Sequence, residues 1–356
     1  MNNFDGINDY ANSMFHFEQL HDKWINECVK YLDILFNVKD KIVVDYAFGR
    51  GNWSLAFAKL GAKKVISIDA SLDNVNKFQN YINKNKIENI EILHGNIMIN
   101  SIDLEADIVW VYGIIPCIEQ LDVFLQKLKF LSSSNAEFLF YTYSKTSLRK
   151  HIVTKVREYI QYTNFSSFSK DICKFTNKSR IRARDDLVVD IINWHTKKEF
   201  AELLENNGYE ISAETIDFYE FQNNKKNSEF TPFQFKAKKG TAKFNMKDEV
   251  FPYIEEVNIL NIFIDELVHN LTNGDIKKDI IISIHNILYS KEQCEDIIIE
   301  IFIYLIAIFK YYNVVSFNET IKNYITLVEK SQAGYPLEIS YENCIQKYLV
   351  KNNVRY

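Results

Sequence analysis

Glycine (10) and proline (4) are scarce among the 356 residues, which excludes collagen-like, linker-like and low-complexity chains. Cysteine is equally sparse. The five, Cys28, Cys117, Cys173, Cys294 and Cys344, are widely scattered and form no C-x-x-C pair. That argues against a zinc cage or a disulfide framework and favours a reducing, cytoplasmic setting. No apolar run is long enough for a bilayer, which needs about 20 residues. The most apolar stretch, Ile297 to Phe309, is interrupted by Glu300. The opening MNNFDGINDY has no basic segment followed by an apolar one, so no secretory signal is expected. Charge of one sign is not in large excess either, the net value being −5. What is present, 47% apolar and 25% charged residues, is the balance of a globular protein and excludes wholesale disorder.

The distribution of charge says more than its sum. The whole net charge of −5 falls after Gly240, and the first 240 residues are balanced. Within that balanced part, Lys145 to Arg184 carries 11 basic residues against only Glu158 and Asp171. A basic insert and an acidic tail are separate electrostatic objects and need not share a partner.

Periodicity divides the chain. Residues 1–37 read as helical, with Phe17, Leu20, Trp24, Cys28, Tyr31 and Leu32 at three-to-four-residue steps. KIVVDYA, KVISIDA, IEILHGN, ADIVWVYG and AEFLFYTYS read as five buried strands, separated by helical segments. Ser71 is an expected N-cap, and Thr196 with Glu199 spells a capping box. YEISAETIDFYEF and TPFQFKAKKG read as two closing strands. Strands alternating with helices predict an α/β fold, a doubly wound and mostly parallel sheet. Beyond Gly240 only helical patterns remain, which predicts an all-α C-terminal domain over 241–356.

The strongest signal is the turn after the first strand, Val43-Val44-Asp45-Tyr46-Ala47-Phe48-Gly49-Arg50-Gly51-Asn52-Trp53. Gly49 and Gly51 let the backbone approach a ligand at the carboxyl end of a strand. The N–H groups of the helix that follows favour a carboxylate or phosphate. After 17 further residues Asp69 closes the second strand, where an acid takes the hydroxyls of a ribose. A dinucleotide fingerprint would place Gly or Ala at the sixth position, and here it is Ser54.

This pattern resembles class I S-adenosylmethionine-dependent methyltransferases, whose first motif reads roughly hh-D-x-G-x-G-x-G. The likeness runs over about residues 38–239. It implies a Rossmann-like, seven-stranded domain over 38–240, preceded by an N-terminal helical lid (1–37) and carrying residues 145–195 as a basic, substrate-side insert. It also implies S-adenosyl-L-methionine as cofactor. Asp45, Ala47, Gly49 and Gly51 match the first motif, Ala47 standing where glycine is usual. Asp69 matches the ribose acid, with Ala70 beside it. Asn96 should face the adenine amino group, and Ile97 or Met98 should pack on its ring. Tyr112, at the exit of the fourth strand, should lie near the transferring methyl group. His195 is the first candidate general base and Tyr143 the second, and no acid-plus-histidine spacing suggests a metal. His16 and His21 sit on the segment that lids the cofactor in similar proteins.

Gly113-Ile-Ile-Pro116-Cys117 departs from the Asn/Asp-Pro-Pro-Tyr that marks methylation of an amino nitrogen. The resemblance therefore implies a methyltransferase for a small or medium-sized acceptor, which the basic insert would suit if anionic. The alternative acceptors are a peptide, a carrier protein or an RNA held by the insert or the C-terminal helices. Phe165, Phe168 and Phe175 supply rings for an RNA. A non-catalytic cofactor-binding scaffold is the rival from another class. The apolar width of the C-terminal helices suits dimerisation.

Overall fold

The computed structural model describes residues 22–98, 102–147, 191–223 and 232–246, with isolated positions between 150 and 157. The chain divides into two units, residues 1–150 with 189–252 and residues 151–188 with 253–356. Every element below belongs to the first. Most of the basic insert, nearly all of the C-terminal helices, His16 and His21 lie outside the described residues.

In chain order the elements are α1 (Asp22–Leu35), β1 (Ile42–Tyr46), α2 (Asn52–Lys59), β2 (Lys64–Asp69), α3 (Leu72–Lys84), β3 (Ile90–His94), β4 (Ala106–Val111), α4 (Leu121–Leu128), β5 (Ser132–Ser144), β6 (Trp194–His195), α5 (Lys197–Asn206), β7 (Tyr209–Thr215), α6 (Phe218–Asn223) and β8 (Phe233–Lys239). The sheet runs β3-β2-β1-β4-β5-β8-β7, with the two-residue β6 paired only to β5. β1 to β5 are mutually parallel, and β8 runs antiparallel between β5 and β7. This is the Rossmann-like arrangement. Its strand order reverses between β1 and β4, where ligands of open α/β sheets bind beyond the carboxyl ends.

Side chains alternate between the two faces of each strand, so each face needs its own cover. On one face Val44, Val109, Val111, Phe138 and Phe140 pack under α4 and α5, through Phe124, Leu128, Phe200 and Leu204. On the other, Val43, Ile108, Trp110 and Leu139 pack under α1, α2 and α3, through Cys28, Tyr31, Phe57 and Phe78. α1 is a layer of this second core. Ile25, Cys28, Tyr31 and Leu32 are essentially inaccessible. Residues 22–35, the helical part of the expected lid segment 1–37 that is described, form one wall of this core.

Local signals explain the helix starts. The Ser71 side chain accepts the Asn74 N–H at the head of α3. Thr196 and Glu199 close a reciprocal capping box on α5. One expectation needs correction. The second half of YEISAETIDFYEF is a helix, α6, whose first turn is closed by Phe221 N–H donating to Asp217 O at 3.0 Å. Phe218 there packs edge-on against Trp24 and Tyr31. Those long-range ring contacts outweigh the β propensity of an aromatic run. Among the described residues, no helix is long and apolar enough to cross a membrane.

Candidate functional site

The β1–α2 loop is built on a left-handed alternation: Ala47 (φ 59), Gly49 (φ 55) and Gly51 (φ 74). Turning every second residue this way curls the backbone over the end of the sheet. Ala47 N–H donates to Ile68 O at 2.7 Å, pinning the loop to β2. The two glycines serve different ends. A Cβ on Gly49 would meet nothing within 4 Å, so that side of the loop faces open space. A Cβ on Gly51 would lie 2.4 Å from the Phe78 ring. Gly51, expected from sequence to admit a ligand, is thus needed first for packing α2 against α3. It is also the left-handed N-cap of α2.

Ala47 carries strain that a glycine would not. The left-handed conformation costs an L-residue about 1–2 kcal/mol, partly offset by the extra freedom glycine has when unfolded. Ala47→Gly is therefore expected to stabilise the domain by about 0.5–1 kcal/mol. Urea denaturation checks this, and a loss of stability would contradict the strain.

Asp69 joins the loop to β2. Its Oδ2 accepts from Gly49 N–H at 2.9 Å, and its Oδ1 accepts from Ser71 N–H at 2.8 Å and Asn74 Nδ2 at 3.4 Å. Burial pushes the carboxyl up, while the Ser71 and Gly49 hydrogen bonds pull it back towards ionisation. Among the described residues Oδ2 accepts one hydrogen bond, leaving lone-pair capacity for a further hydroxyl. Beside it, Ala70 O pairs with His94 Nε2 at 3.1 Å.

Asp45 lies behind the loop rather than on its open side. It is 1% exposed and accepts from Ser54 Oγ at 2.6 Å, and Ser54 in turn accepts from Ser67 Oγ at 2.7 Å. This chain of three side chains ties β1, α2 and β2 together. Desolvation pushes the Asp45 carboxyl up to about 7, against the Ser54 hydrogen bond and with a smaller push from Asp69. The folded state therefore favours the neutral acid. Its contribution is full below the ordinary carboxyl range and is lost as pH rises through about 7. Asp45→Asn should remove this slope. Between about pH 5 and about pH 8 the wild type should lose on the order of 2 kcal/mol relative to the variant. Parallel urea midpoints at the two pH values test this. A constant difference would show that Asp45 keeps one charge state throughout.

At the β3 exit, Asn96 Oδ1 accepts from Met98 N–H at 2.9 Å, so the amide is held by its own loop. Ile97 is a core residue, 2% exposed, with its N–H bonded to Tyr46 Oη at 3.1 Å. Of the two residues expected on the adenine face, Ile97 is withdrawn into the core and Met98 is the more accessible. Beyond β4, Tyr112 stacks on Trp110 with ring centroids 5.4 Å apart and lies 4.3 Å from Tyr141. Burial, chiefly, pushes its hydroxyl far up, so it stays protonated. Gly113 (φ 86) also faces open space, since a Cβ there would touch nothing within 4 Å.

The two candidate bases sit on adjacent strands but on opposite faces. His195 is opposite Ser144, bonds Thr142 Oγ1 through Nδ1 at 3.3 Å, and packs on Phe200 at 5.3 Å, on the α5 side. Tyr143 is opposite Trp194 and stacks beside it at 5.3 Å, on the Trp110 side. Burial pushes the His195 imidazole down, which Glu199 opposes and Lys145 reinforces, so the ring is neutral at neutral pH. Ser67, Tyr141 and Gln234 were not singled out from the sequence, and Ser54 and Trp53 entered only as members of the turn after β1. Only the spacing of Ser54 on the inner side of α2 could have signalled one of them.

The open sides of Gly49 and Gly113 lie at the exits of adjacent strands, with Asp69 hydrogen-bonded to the first. Asn52 Oδ1, next to Gly51, is buried with no hydrogen-bond partner among the described residues. Gly49 thus offers room at the strand exit while its N–H is held by Asp69 Oδ2. Together with Asp69 as sugar acceptor, these residues fit an amino-acid-bearing nucleoside.

Comparison with known proteins agrees. The family described as "Methyltransferase domain" matches residues 37–208. Two curated relatives are ribosomal protein L11 methyltransferases. That of Clostridium perfringens is 38% identical over 82 residues, 23% of this chain and 26% of the relative. That of Clostridium botulinum is 39% identical over a stretch of the same length and coverage. The chain thus spans about a quarter of the length of these relatives. Among solved structures, a SAM-dependent methyltransferase from Aquifex aeolicus is 16% identical, with 62% of this chain and 95% of that one covered and a TM-score of 0.40. PKMT2 from Rickettsia typhi in complex with AdoHcy is 14% identical, with 63% and 54% covered and a TM-score of 0.45. Residues 37–208 are a methyltransferase domain. Over these residues the chain resembles the methyltransferases.

Proposed function

We propose that this protein transfers a methyl group from S-adenosylmethionine to a small or medium-sized acceptor by in-line displacement. The observation that carries the reading is the Gly49–Asp69 hydrogen bond, which joins the glycine loop and the strand-two acid into one cradle whose open side lies at the β1–β4 switch point. When bound, the cofactor supplies an already electrophilic methyl group. The residues of the chain do the rest. The amides at the head of α2 hold a carboxylate. Asp69 takes ribose hydroxyls, Asn96 takes the adenine edge, and Asp45 with Ser54 and Ser67 keeps the loop in shape from behind. Orientation of the acceptor supplies most of the acceleration, with effective molarities up to about 10⁵–10⁸ M. Where the acceptor carries a proton, a base adds about 10²–10⁴-fold. Tyr143 is on the face that carries Tyr112, whereas neutral His195 accepts a proton from the α5 side. The scattered cysteines suit a cytoplasmic protein, and the C-terminal helices suit a homodimer, which sedimentation of the full chain tests.

The partial likeness to ribosomal protein L11 methyltransferases favours a second reading, a peptide or protein acceptor. One experiment separates the two. Cell extract is incubated with the protein and isotopically labelled S-adenosylmethionine, and both the metabolite and protein fractions are analysed by mass spectrometry. Label in a small molecule supports the first reading and label in a polypeptide the second. Cofactor binding without label anywhere would indicate a scaffold.

A further inference from the structure

The loop after β3, Gly95 to Met98, is fixed from three sides. Gly95 N–H donates to Asp69 O at 3.0 Å, which joins the loop to the end of β2. Ile97 N–H donates to Tyr46 Oη at 3.1 Å, and Met98 O accepts from Lys127 Nζ at 2.8 Å. The last two anchors share a strut. Phe124 and Lys127 are three residues apart on α4 and so lie on one side of it. Phe124 packs on the Tyr46 ring at 5.4 Å, while Lys127 reaches the carbonyl. Burial alternates along the loop. Gly95 and Ile97 are buried, and Asn96 and Met98 are half-buried. The loop therefore leaves accessible the side chains of Asn96 and Met98, next to the acid expected to hold the ribose.

The anchors matter through the Asn96 amide. Its Oδ1 accepts from Met98 N–H at 2.9 Å. A turned amide would set Nδ2 against that N–H, donor against donor, so this bond fixes which end is oxygen. An amide of fixed orientation reads the edge of a nucleobase in one sense only. Adenine offers a donating amino group beside an accepting ring nitrogen. Hypoxanthine offers the reverse, an accepting carbonyl beside a donating ring N–H. Met98 N–H stays in place only while the chain on either side of it is held, by Tyr46 on the residue before and by Lys127 on the carbonyl beyond.

We propose that Tyr46 and Lys127 are positioning residues for nucleobase selectivity. Through the loop after β3 they hold Asn96 in the orientation that favours an amino-purine over an oxo-purine nucleoside. The assignment rests on the methyltransferase reading, which it deepens by naming the residues that set the selectivity of its nucleoside site. Neither residue touches the ligand. Tyr46 acts from the core and Lys127 from α4, and both act on the same short stretch of backbone.

The test is calorimetry on the full chain with S-adenosylhomocysteine and S-inosylhomocysteine. The two ligands differ only in that edge, so the ratio of their affinities reports the loop and not the general soundness of the fold. The wild type should prefer S-adenosylhomocysteine by about tenfold or more, because a mismatched edge leaves polar groups unpaired. Tyr46→Phe and Lys127→Met should each cut that preference by about threefold or more. Lys127→Arg keeps a donor for Met98 O and should retain it. Lys129→Met removes the same charge just past the end of α4, away from the loop, and should retain it too. Thermal melts verify that each variant folds. Lys127 is half-buried and outside the core, so Lys127→Met decides the matter if Tyr46→Phe does not fold. A fall in both affinities with the ratio kept would reduce the two residues to structural support and overturn the proposal. A wild type that binds both ligands equally would also overturn it, while leaving the methyl-donor reading in place. A wild type that binds neither would remove that reading and the proposal with it.

Discussion

Replacing Asp69 by alanine is expected to weaken S-adenosylhomocysteine binding by about 100-fold, read by calorimetry. A hydrogen bond to a charged group is worth about 1.5–3 kcal/mol, and about 1.4 kcal/mol is a factor of ten. Loss of the ribose contacts alone therefore reaches that range. The Gly49 N–H, held by Asp69 Oδ2 at 2.9 Å, loses its anchor in the same step, so the loop is loosened as well as the sugar released. Asp69→Asn should fall between, because it keeps one acceptor oxygen. Unchanged affinity in Asp69→Ala would place the ribose elsewhere on the molecule.

The second large effect separates the two glycines of the loop. Gly51→Ala should destabilise the domain by about 2–5 kcal/mol, combining overpacking of about 1–3 with a left-handed penalty of about 1–2. The new methyl has nowhere to go, since the ring of Phe78 already lies 2.4 Å from its place and that ring is fully buried. Gly49→Ala should cost only the left-handed penalty, about 1–2 kcal/mol. Its methyl would project into the open side of the loop, so it should fold and yet bind S-adenosylhomocysteine at least tenfold more weakly through steric exclusion. Urea denaturation and calorimetry on the two variants give four numbers. Equal stability losses would contradict the packing role of Gly51, and full binding by Gly49→Ala would contradict the open cradle.

This division of labour also shows what a sequence discloses. The turn carrying Asp45, Gly49 and Gly51 and the strand end at Asp69 are legible as local structure, because a tight turn between a strand and a helix admits few residue types. The Ser71 cap and the Thr196–Glu199 box were legible for the same reason. The purpose of Gly51 was not, because it depends on Phe78, which belongs to another helix. Ile97 reads as a ligand neighbour on spacing alone, but its N–H is claimed by the Tyr46 hydroxyl across the sheet. The placement of His195 and Tyr143 on opposite faces follows from the register of β6 on β5, one residue of slip being enough to reverse it.

The claim on which the rest stands is that the β1–α2 loop and the end of β2 form one nucleoside cradle. Hydrogen exchange of the full chain, with and without S-adenosylhomocysteine, tests it most directly. Slowed exchange is predicted in peptides covering Tyr46 to Trp53 and Asp69 to Asn74 together, and it should disappear in Asp69→Ala. Protection of only one of these segments, or of neither while the ligand is bound, would contradict it.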